Sequence, residues 1–281
     1  MSPLVLVTGA SGFLAGALLR RLRALGVPAL GVARRRGGDW LQVDAYQEAP
    51  ATPVIVHLAE TAHRGDHNAA GDSAAAAMTD ALQALLQRRP SRLVYASSAA
   101  VYGDEADTPR REGDPVFAAD SYARMKLAHE RLVTGTAGIQ GVAVRLANVY
   151  GAGMSRDNVL STLLRQLPGE GPLQVLDDGP VRDYLHVDDA AAALAAMALG
   201  GHTGVYNVGT GIGTSVRDLG RAACAAAGID PRPVEALRAS GRRSVLVLDA
   251  RAAQETFGWR PATDLQDGLA RLLPHFEPQH P

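Results

Sequence analysis

The chain has 281 residues, 47% apolar and 20% charged, which fits one large domain or two intimate ones and excludes global disorder. Its 28 basic and 29 acidic side chains leave a net charge of −1, which excludes the basic footprint of a nucleic-acid binder. One cysteine, Cys224, excludes an intramolecular disulfide and a cysteine-based zinc site.

Leu4–Val7 is a short apolar run that ends at Thr8-Gly9. Apolar residues at 14, 18, 19, 22 and 25 then predict a helix over Leu14–Leu25. Ala29–Ala33, Val54–Leu58, Leu93–Ala96 and Val142–Leu146 are short and continuously apolar, as strands covered on both faces should be. Helices are predicted over the alanine-rich Ser73–Gln87 and over Ser121–Val133. After about residue 150, Gly and Pro cluster at 151–153, 168–172 and 179–180, so the second half is less regular. The alanine runs at 74–77 and 190–193 are helix-forming, and Pro278–Pro281 is expected to fray. This rhythm predicts an α/β fold, a doubly wound parallel sheet with a smaller C-terminal substrate lobe. Residues 1–150 would bind a dinucleotide, with the chain returning to that domain at about 184–208. Residues 151–183 and 209–281 would form the lobe. There is no run of 18 apolar residues and no leader-like start, so the expectation is a cytoplasmic chain without membrane contact.

The segment Thr8-Gly9-Ala10-Ser11-Gly12-Phe13-Leu14-Ala15-Gly16 joins the first strand to the first helix. Glycines there permit a tight turn and close approach to a pyrophosphate, and the helix start offers free N–H groups. Its place after an N-terminal strand predicts a Rossmann-type dinucleotide cradle, with Gly9, Ser11, Gly12, Phe13 and Leu14 as the expected contacts; the alternative is a plain tight turn. An NAD site of this type carries an acidic residue about 20 residues on. Here that stretch reads Val32-Ala33-Arg34-Arg35-Arg36. Arginine grips a 2′-phosphate where a carboxylate would repel it, so Arg34 and Arg35 tilt the choice between NAD and NADP towards NADP. The alternative is that Arg34–Arg36 is only a solvated loop. Asp44, closing the run Leu41-Gln42-Val43, is the other acidic candidate, placed beside the adenine.

Leu93-Val94-Tyr95-Ala96-Ser97-Ser98 is a strand ending in two hydroxyls, where an open α/β sheet places its ligand crevice. Tyr122 and Lys126 are four apart and share one helix face. A phenol is a weak base at neutral pH, but an adjacent ammonium favours its phenolate. Ser98 would hydrogen-bond a substrate hydroxyl or carbonyl.

In this combination the chain resembles the extended short-chain dehydrogenase/reductases called NAD-dependent epimerase/dehydratases. The resemblance runs from Thr8 to about Pro261. It is carried by Thr-Gly-Ala-Ser-Gly-Phe-Leu at 8–14, His57-Leu58-Ala59, Ser97-Ser98-Ala99-Ala100-Val101-Tyr102-Gly103, Tyr122 and Lys126. Arg145-Leu146-Ala147-Asn148-Val149-Tyr150-Gly151, Arg182-Asp183-Tyr184-Leu185-His186-Val187-Asp188-Asp189, Tyr206-Asn207-Val208-Gly209 and Phe257-Gly258-Trp259-Arg260-Pro261 complete it. The resemblance implies that Tyr122 is the acid/base, that Lys126 holds the nicotinamide ribose, and that Ser98 is the catalytic hydroxyl. It implies that Leu58 and Ala59 form part of the cofactor wall. It also implies that Asn148 and Arg182, with Arg242 or Arg243, bind the diphosphate of a nucleotide sugar. The other reading of Arg182 is an ion pair with Asp183 or Asp188 that fixes a turn. The family's helix-bundle homodimer would use the helices of 74–86 and of Tyr122–Lys126; the alternative is core packing.

Two departures narrow the chemistry. Ala99-Ala100 stands where the family's 4,6-dehydratases carry Asp-Glu, which argues against dehydration. Cys224 is too far along the chain to supply the Cys/His pair of C3/C5 epimerases. No metal is expected: His63, Asp66 and His67 sit in a polar, Gly-containing stretch without a third ligand of known spacing. His57, Cys224 and Trp259 are expected to be structural, and His186 with Asp188–Asp189 to cap a helix. The expected function is NAD(P)-dependent hydride transfer at C4 of a nucleotide-activated sugar, as epimerase or 4-keto reductase. The alternative is a catalytically silent NAD(P)-sensing regulator or scaffold on the same fold.

Overall fold

The structure is a computed structural model describing residues 3–60 and 64–276, with only the backbone of Gly71 and Asp72. The first half alternates strand and helix: β1 (Val5–Thr8), α1 (Phe13–Ala24), β2 (Ala29–Ala33), β3 (Leu41–Gln42), β4 (Val54–His57), α2 (Arg64–Gln87), β5 (Arg92–Ser98), α3 (Ser121–Gly135) and β6 (Gln140–Leu146). Next come β7 (Asn148–Tyr150), α4 (Val159–Gln166), β8 (Leu173–Val175), β9 (Val181–His186), α5 (Val187–Leu199) and β10 (Gly204–Val208). The chain closes with β11 (Gly213–Ser215), α6 (Val216–Ala226), β12 (Val234–Ala236), β13 (Val245–Leu246), α7 (Arg251–Phe257) and α8 (Leu265–Leu272).

Seven strands form one parallel sheet in the order β10-β6-β5-β4-β1-β2-β3. The order reverses at β1, so the carboxyl ends of β1 and β4 border a crevice at the switch point, as in a doubly wound sheet. Val5, Val7 and Val56 face a core shared with Leu18 and Leu22 of α1 and Leu194 of α5. Leu6, Ile55 and Leu93 face the opposite core, under Leu82 and Leu85 of α2 and Val133 of α3. Both faces are covered, which is why these strands are continuously apolar rather than alternating. Truncating Leu18 to Ala would cost about 2–5 kcal/mol, through lost transfer energy and a residual cavity.

A smaller sheet sets β9 between β11 and β13, with β7 also paired to β9. A third core gathers Leu160, Leu163, Leu219 and Leu269 from α4, α6 and α8, and buries Cys224. Among the described residues no helix is long and apolar enough to cross a membrane.

The helix expected over 73–87 begins at Arg64 instead. Asn68 explains the difference: its side chain accepts from Ser121 Oγ and Tyr122 N and donates to Asp120. Arg64 is also bonded to Asp120. Docking onto the start of α3 outweighs the weak helix propensity of Gly65, Asn68 and Gly71. Asp66 and His67 are therefore helical rather than in a loop, and His67 lies edge-on to the Tyr122 ring. His63 and Pro278–Pro281 lie outside the described residues. His186 caps α5 by accepting from Asp188 N. Asp189 reaches further: it accepts from Ala262 N and Thr263 N and pins the C-terminal segment. Trp259 is buried there, donating to Asp189 O.

Candidate active site

One cavity of about 1030 Å³ opens at the switch point, bordered by residues of both sheets. At its floor the chain leaves β1 through Gly9, with φ +71°. A Cβ at Gly9 would meet Leu58 O at 2.7 Å and Ala59 Cα at 2.9 Å, so only glycine lets these strand ends approach. Gly12 is the N-cap of α1, and no side chain caps that end. Gly12, Phe13, Leu14 and Leu58 line the cavity. An uncapped helix start at a glycine turn fits the pyrophosphate of a dinucleotide.

Other expected cofactor residues do not line this cavity. Ser11 is exposed at the turn, and Ala59 packs towards the core under α2. Arg34 and Arg35 are exposed beyond the end of β2. The Arg34 charge opposes the rise that burial imposes on the Tyr46 phenol, and Arg35 O accepts from Trp40 Nε1. Asp44 is exposed, its backbone N donating to Glu48.

Tyr122 and Lys126 sit on α3. Asp120 caps it, accepting from Ala123 N at 2.9 Å, and this starts the helix so that Tyr122 and Lys126 share the inward face. The two are 6% and 5% exposed, and Lys126 Nζ lies 5.6 Å from the centre of the Tyr122 ring. Lys126 Nζ donates to Ala96 O at 2.8 Å and to Glu60 Oε2 at 2.6 Å. Tyr95 donates to the same carboxylate at 2.8 Å, and His129 Nδ1 lies 2.7 Å from Glu60 Oε1. Burial pushes the Glu60 carboxyl up, but the Lys126 ammonium and the His129 bond outweigh it, so it stays well below the ordinary range. Burial pulls the Lys126 ammonium down, and Glu60 more than restores it. Burial lowers His57 to about 4, so it is neutral at pH 7; its Nδ1 lies 2.8 Å from Thr8 Oγ1.

The two strand-end serines separate by partner. Ser97 Oγ donates to Glu130, itself held by Arg145, and is committed to the core. Ser98 lines the cavity, and its Oγ accepts from Ala100 N at 3.2 Å.

At the far end, Asn148, Arg182 and Arg242 line the cavity. Arg182 is not paired with Asp183 or Asp188. Asp183 instead accepts from Thr210 and from the backbone of Gly211 and Leu248. Arg182 Nη2 lies 3.2 Å from Asp104 Oδ2, Arg242 Nη2 lies 2.8 Å from the same oxygen, and Ser244 Oγ donates to it at 2.5 Å. Burial pushes the Asp104 carboxyl up, and the bonds from Arg242 and Ser244 pull it below its ordinary value. Arg243 points elsewhere, to Asp107.

Residues 5–209 match the model of the NAD dependent epimerase/dehydratase family. The chain belongs to that family. It is 28% identical to a UDP-glucose 4-epimerase of Azospirillum brasilense, across 96% of this chain and 90% of that one. It is 25% identical to a dTDP-4-dehydro-6-deoxyglucose reductase of Escherichia coli, across 65% of this chain and 60% of that one. Its fold superposes on the crystal structure of a Thermus thermophilus UDP-glucose 4-epimerase in complex with NAD with a TM-score of 0.84. The two are 27% identical, over 99% of this chain and all of the other.

Sequence reasoning brought the family's Ser98, Tyr122 and Lys126 to one cavity but missed the carboxylates that hold its cations. Glu60 directly follows His57-Leu58-Ala59, and Asp104 directly follows Gly103. An acid next to a motif at a strand end was the available signal. His129 carried a second one, standing three residues beyond Lys126 on the same helix.

Proposed function

We propose that this family member is an NAD(P)-dependent nucleotide-sugar 4-epimerase, with Ser98, Tyr122 and Lys126 as its catalytic residues. The supporting observation is that one cavity is bordered by the glycine turn, by Tyr122–Lys126 and by Asn148 and Arg182. Residues 1–150 with the return at 184–208 hold the dinucleotide in this reading, and 151–183 with 209–281 hold the sugar nucleotide. The chain works as a cytoplasmic homodimer, joined through α2 and α3.

A bound nicotinamide would supply the hydride acceptor and donor. Tyr122 Oη takes the proton of the C4 hydroxyl as that carbon becomes a carbonyl, and returns it when the carbon is restored with the other configuration. Ser98 donates its hydroxyl hydrogen to the same substrate oxygen, oriented by the bond its Oγ accepts from Ala100 N. Lys126 keeps one of its three N–H groups for the nicotinamide ribose. Arg182 and Arg242 exchange Asp104 for phosphate oxygens, and Asn148 adds a neutral contact. Ala99 and Ala100 place no acid beside Ser98, so water elimination has no proton donor there.

The test is to incubate the protein and NAD with UDP- and dTDP-hexoses and separate the C4 epimers by chromatography. Interconversion should fall by about 10²–10⁴-fold in Tyr122→Phe, with dinucleotide binding retained. If no nucleotide hexose is interconverted, the reading is wrong. Turnover lost in Tyr122→Phe also rejects a silent sensor.

The 4-keto reductase is the second reading, favoured by Arg34–Arg36 standing after β2 without a carboxylate. It predicts tighter binding of NADPH than of NADH. Replacing Arg34 and Arg35 with Ala would then weaken NADPH about tenfold and leave NADH unchanged. Stoichiometric NAD released on denaturing the purified protein would instead favour the epimerase.

A further inference from the structure

The cofactor-side wall holds an ionised group that hydride transfer and its proton step leave idle. Glu60 stands three residues beyond the end of β4, with its side chain 4% exposed. Lys126 Nζ, Tyr95 Oη and His129 Nδ1 converge on its two oxygens at 2.6, 2.8 and 2.7 Å. An ionised carboxylate only accepts, so the short contact places a hydrogen on His129 Nδ1. The other ring nitrogen of His129 lies 2.8 Å from Thr79 Oγ1 on α2, which also bonds Ala75 O. The carboxylate is thus anchored from α3, from β5 and, through His129, from α2. A group held this firmly fixes what it touches.

Several charged or titratable groups surround the Tyr122–Lys126 pair. On α3 they are Asp120, His129 and Glu130, and Glu130 is committed to Arg145 of β6. From β4 and the turn after it come His57 and Glu60; from β5 comes Tyr95; from α2 come His67 and Arg64, the latter bonded to Asp120. Among the described residues, Glu60 is the carboxylate in direct contact with the Lys126 ammonium.

We propose that Glu60 is a positioning residue: it holds the Lys126 ammonium against Ala96 O, offsets its charge, and so sets the pH at which the Tyr122–Lys126 pair releases a proton. The sign follows from electrostatics. Lys126 Nζ lies 5.6 Å from the centre of the Tyr122 ring, so the charge on either member acts on the other. A fixed negative charge beside them opposes proton loss from either member, and its removal eases that loss. The ring of Tyr122 is beside the ammonium, so on loss of the carboxylate we assign the released proton to Tyr122, whose phenolate would replace the lost charge. The catalytic consequence rests on the reading of Tyr122 as acid/base; the ionisation itself does not.

The test is an ultraviolet titration of phenolate absorbance in the wild type and Glu60→Gln, each corrected with its Tyr122→Phe counterpart. In Glu60→Gln the Tyr122 midpoint should fall by about 1–3 pH units, the usual effect of a neighbouring charge. Where turnover is measurable, the acid limb of its pH profile should move the same way. Glu60→Asp draws the carboxylate back by one methylene and should move the midpoint in the same direction by a smaller step. It is the variant to use if Glu60→Gln does not fold. An unmoved or raised midpoint in whichever folded variant is measured overturns the proposal, because a merely structural role would change stability and leave the midpoint in place. If no nucleotide sugar turns over, the absorbance titration still decides the role of Glu60. If turnover proceeds with an unmoved limb, Glu60 is dismissed and the epimerase reading stands.

Discussion

Two ionic clusters border the same cavity and differ in how far water reaches them. Beside Tyr122, the Lys126 and Glu60 side chains are 6% and 4% exposed. At the far end, Arg182 and Asp104 are each about a fifth exposed, and Arg242 is 54% exposed. Both clusters join cations to a carboxylate, but the physics differs. In the buried one, removing a partner strands a charge in a low dielectric, so the pair is effectively permanent. In the open one, water screens the half-exposed Arg242, so its pair with Asp104 is worth about 0–1 kcal/mol. The buried cluster is the more firmly held of the two.

Lys126→Met should break the comparison hardest. It leaves Glu60 without its ammonium and should cost about 3–5 kcal/mol of stability, read from the denaturant midpoint. Adding Glu60→Gln should recover most of the loss. A single variant no less stable than Arg242→Ala would mean that the two clusters do not differ as described.

Acid should separate the clusters next. His57 beside Glu60 is lowered from 6.5 to about 4 in the folded chain, first by burial. Between those values the unfolded chain binds a proton that the folded chain does not, so stability rises with pH and is lost as pH falls from 6.5 towards 4. The contribution is at most about 3 kcal/mol. Melting temperatures followed across that window should fall in the wild type and fall less steeply in His57→Gln. Equal slopes would remove His57 from the account.

The smallest effect belongs to the mouth. Asp104→Asn should leave stability within about 1 kcal/mol and tighten the binding of a nucleoside diphosphate several-fold at low salt, because two arginines lose an internal competitor. Calorimetry at two salt concentrations would show it. Weaker binding would mean that Asp104 serves to aim the arginines rather than to occupy them.

Much of the fold was legible in the residues alone. Ala29–Ala33 forms a strand over the residues expected, and Tyr122 and Lys126 lie on one helix face. These features are local, set by apolar periodicity and by a spacing of four. The start of α2 was not legible, because Arg64–Asp72 reads as a polar, glycine-containing stretch until Asn68 docks on the start of α3. Ser98 could be chosen over Ser97 only by motif, and the structure adds the reason: Ser97 spends its hydroxyl on Glu130. Arg182 was expected either to pair with a neighbour in sequence or to bind diphosphate. Its partner is Asp104, 78 residues away.

The amino-acid sequence by itself determined the doubly wound sheet, the glycine turn after the first strand, the Tyr122–Lys126 helix face and membership of the family. Each depends on residue types at short, regular spacings, which the backbone converts directly into geometry. Only the tertiary structure decided which charges meet. Lys126 is satisfied by Glu60, 66 residues distant, and the arginines of the mouth by the acidic turn after Gly103. Ion pairing is a matter of distance and burial, and both exist only once β4, β5 and α3 have packed against one another.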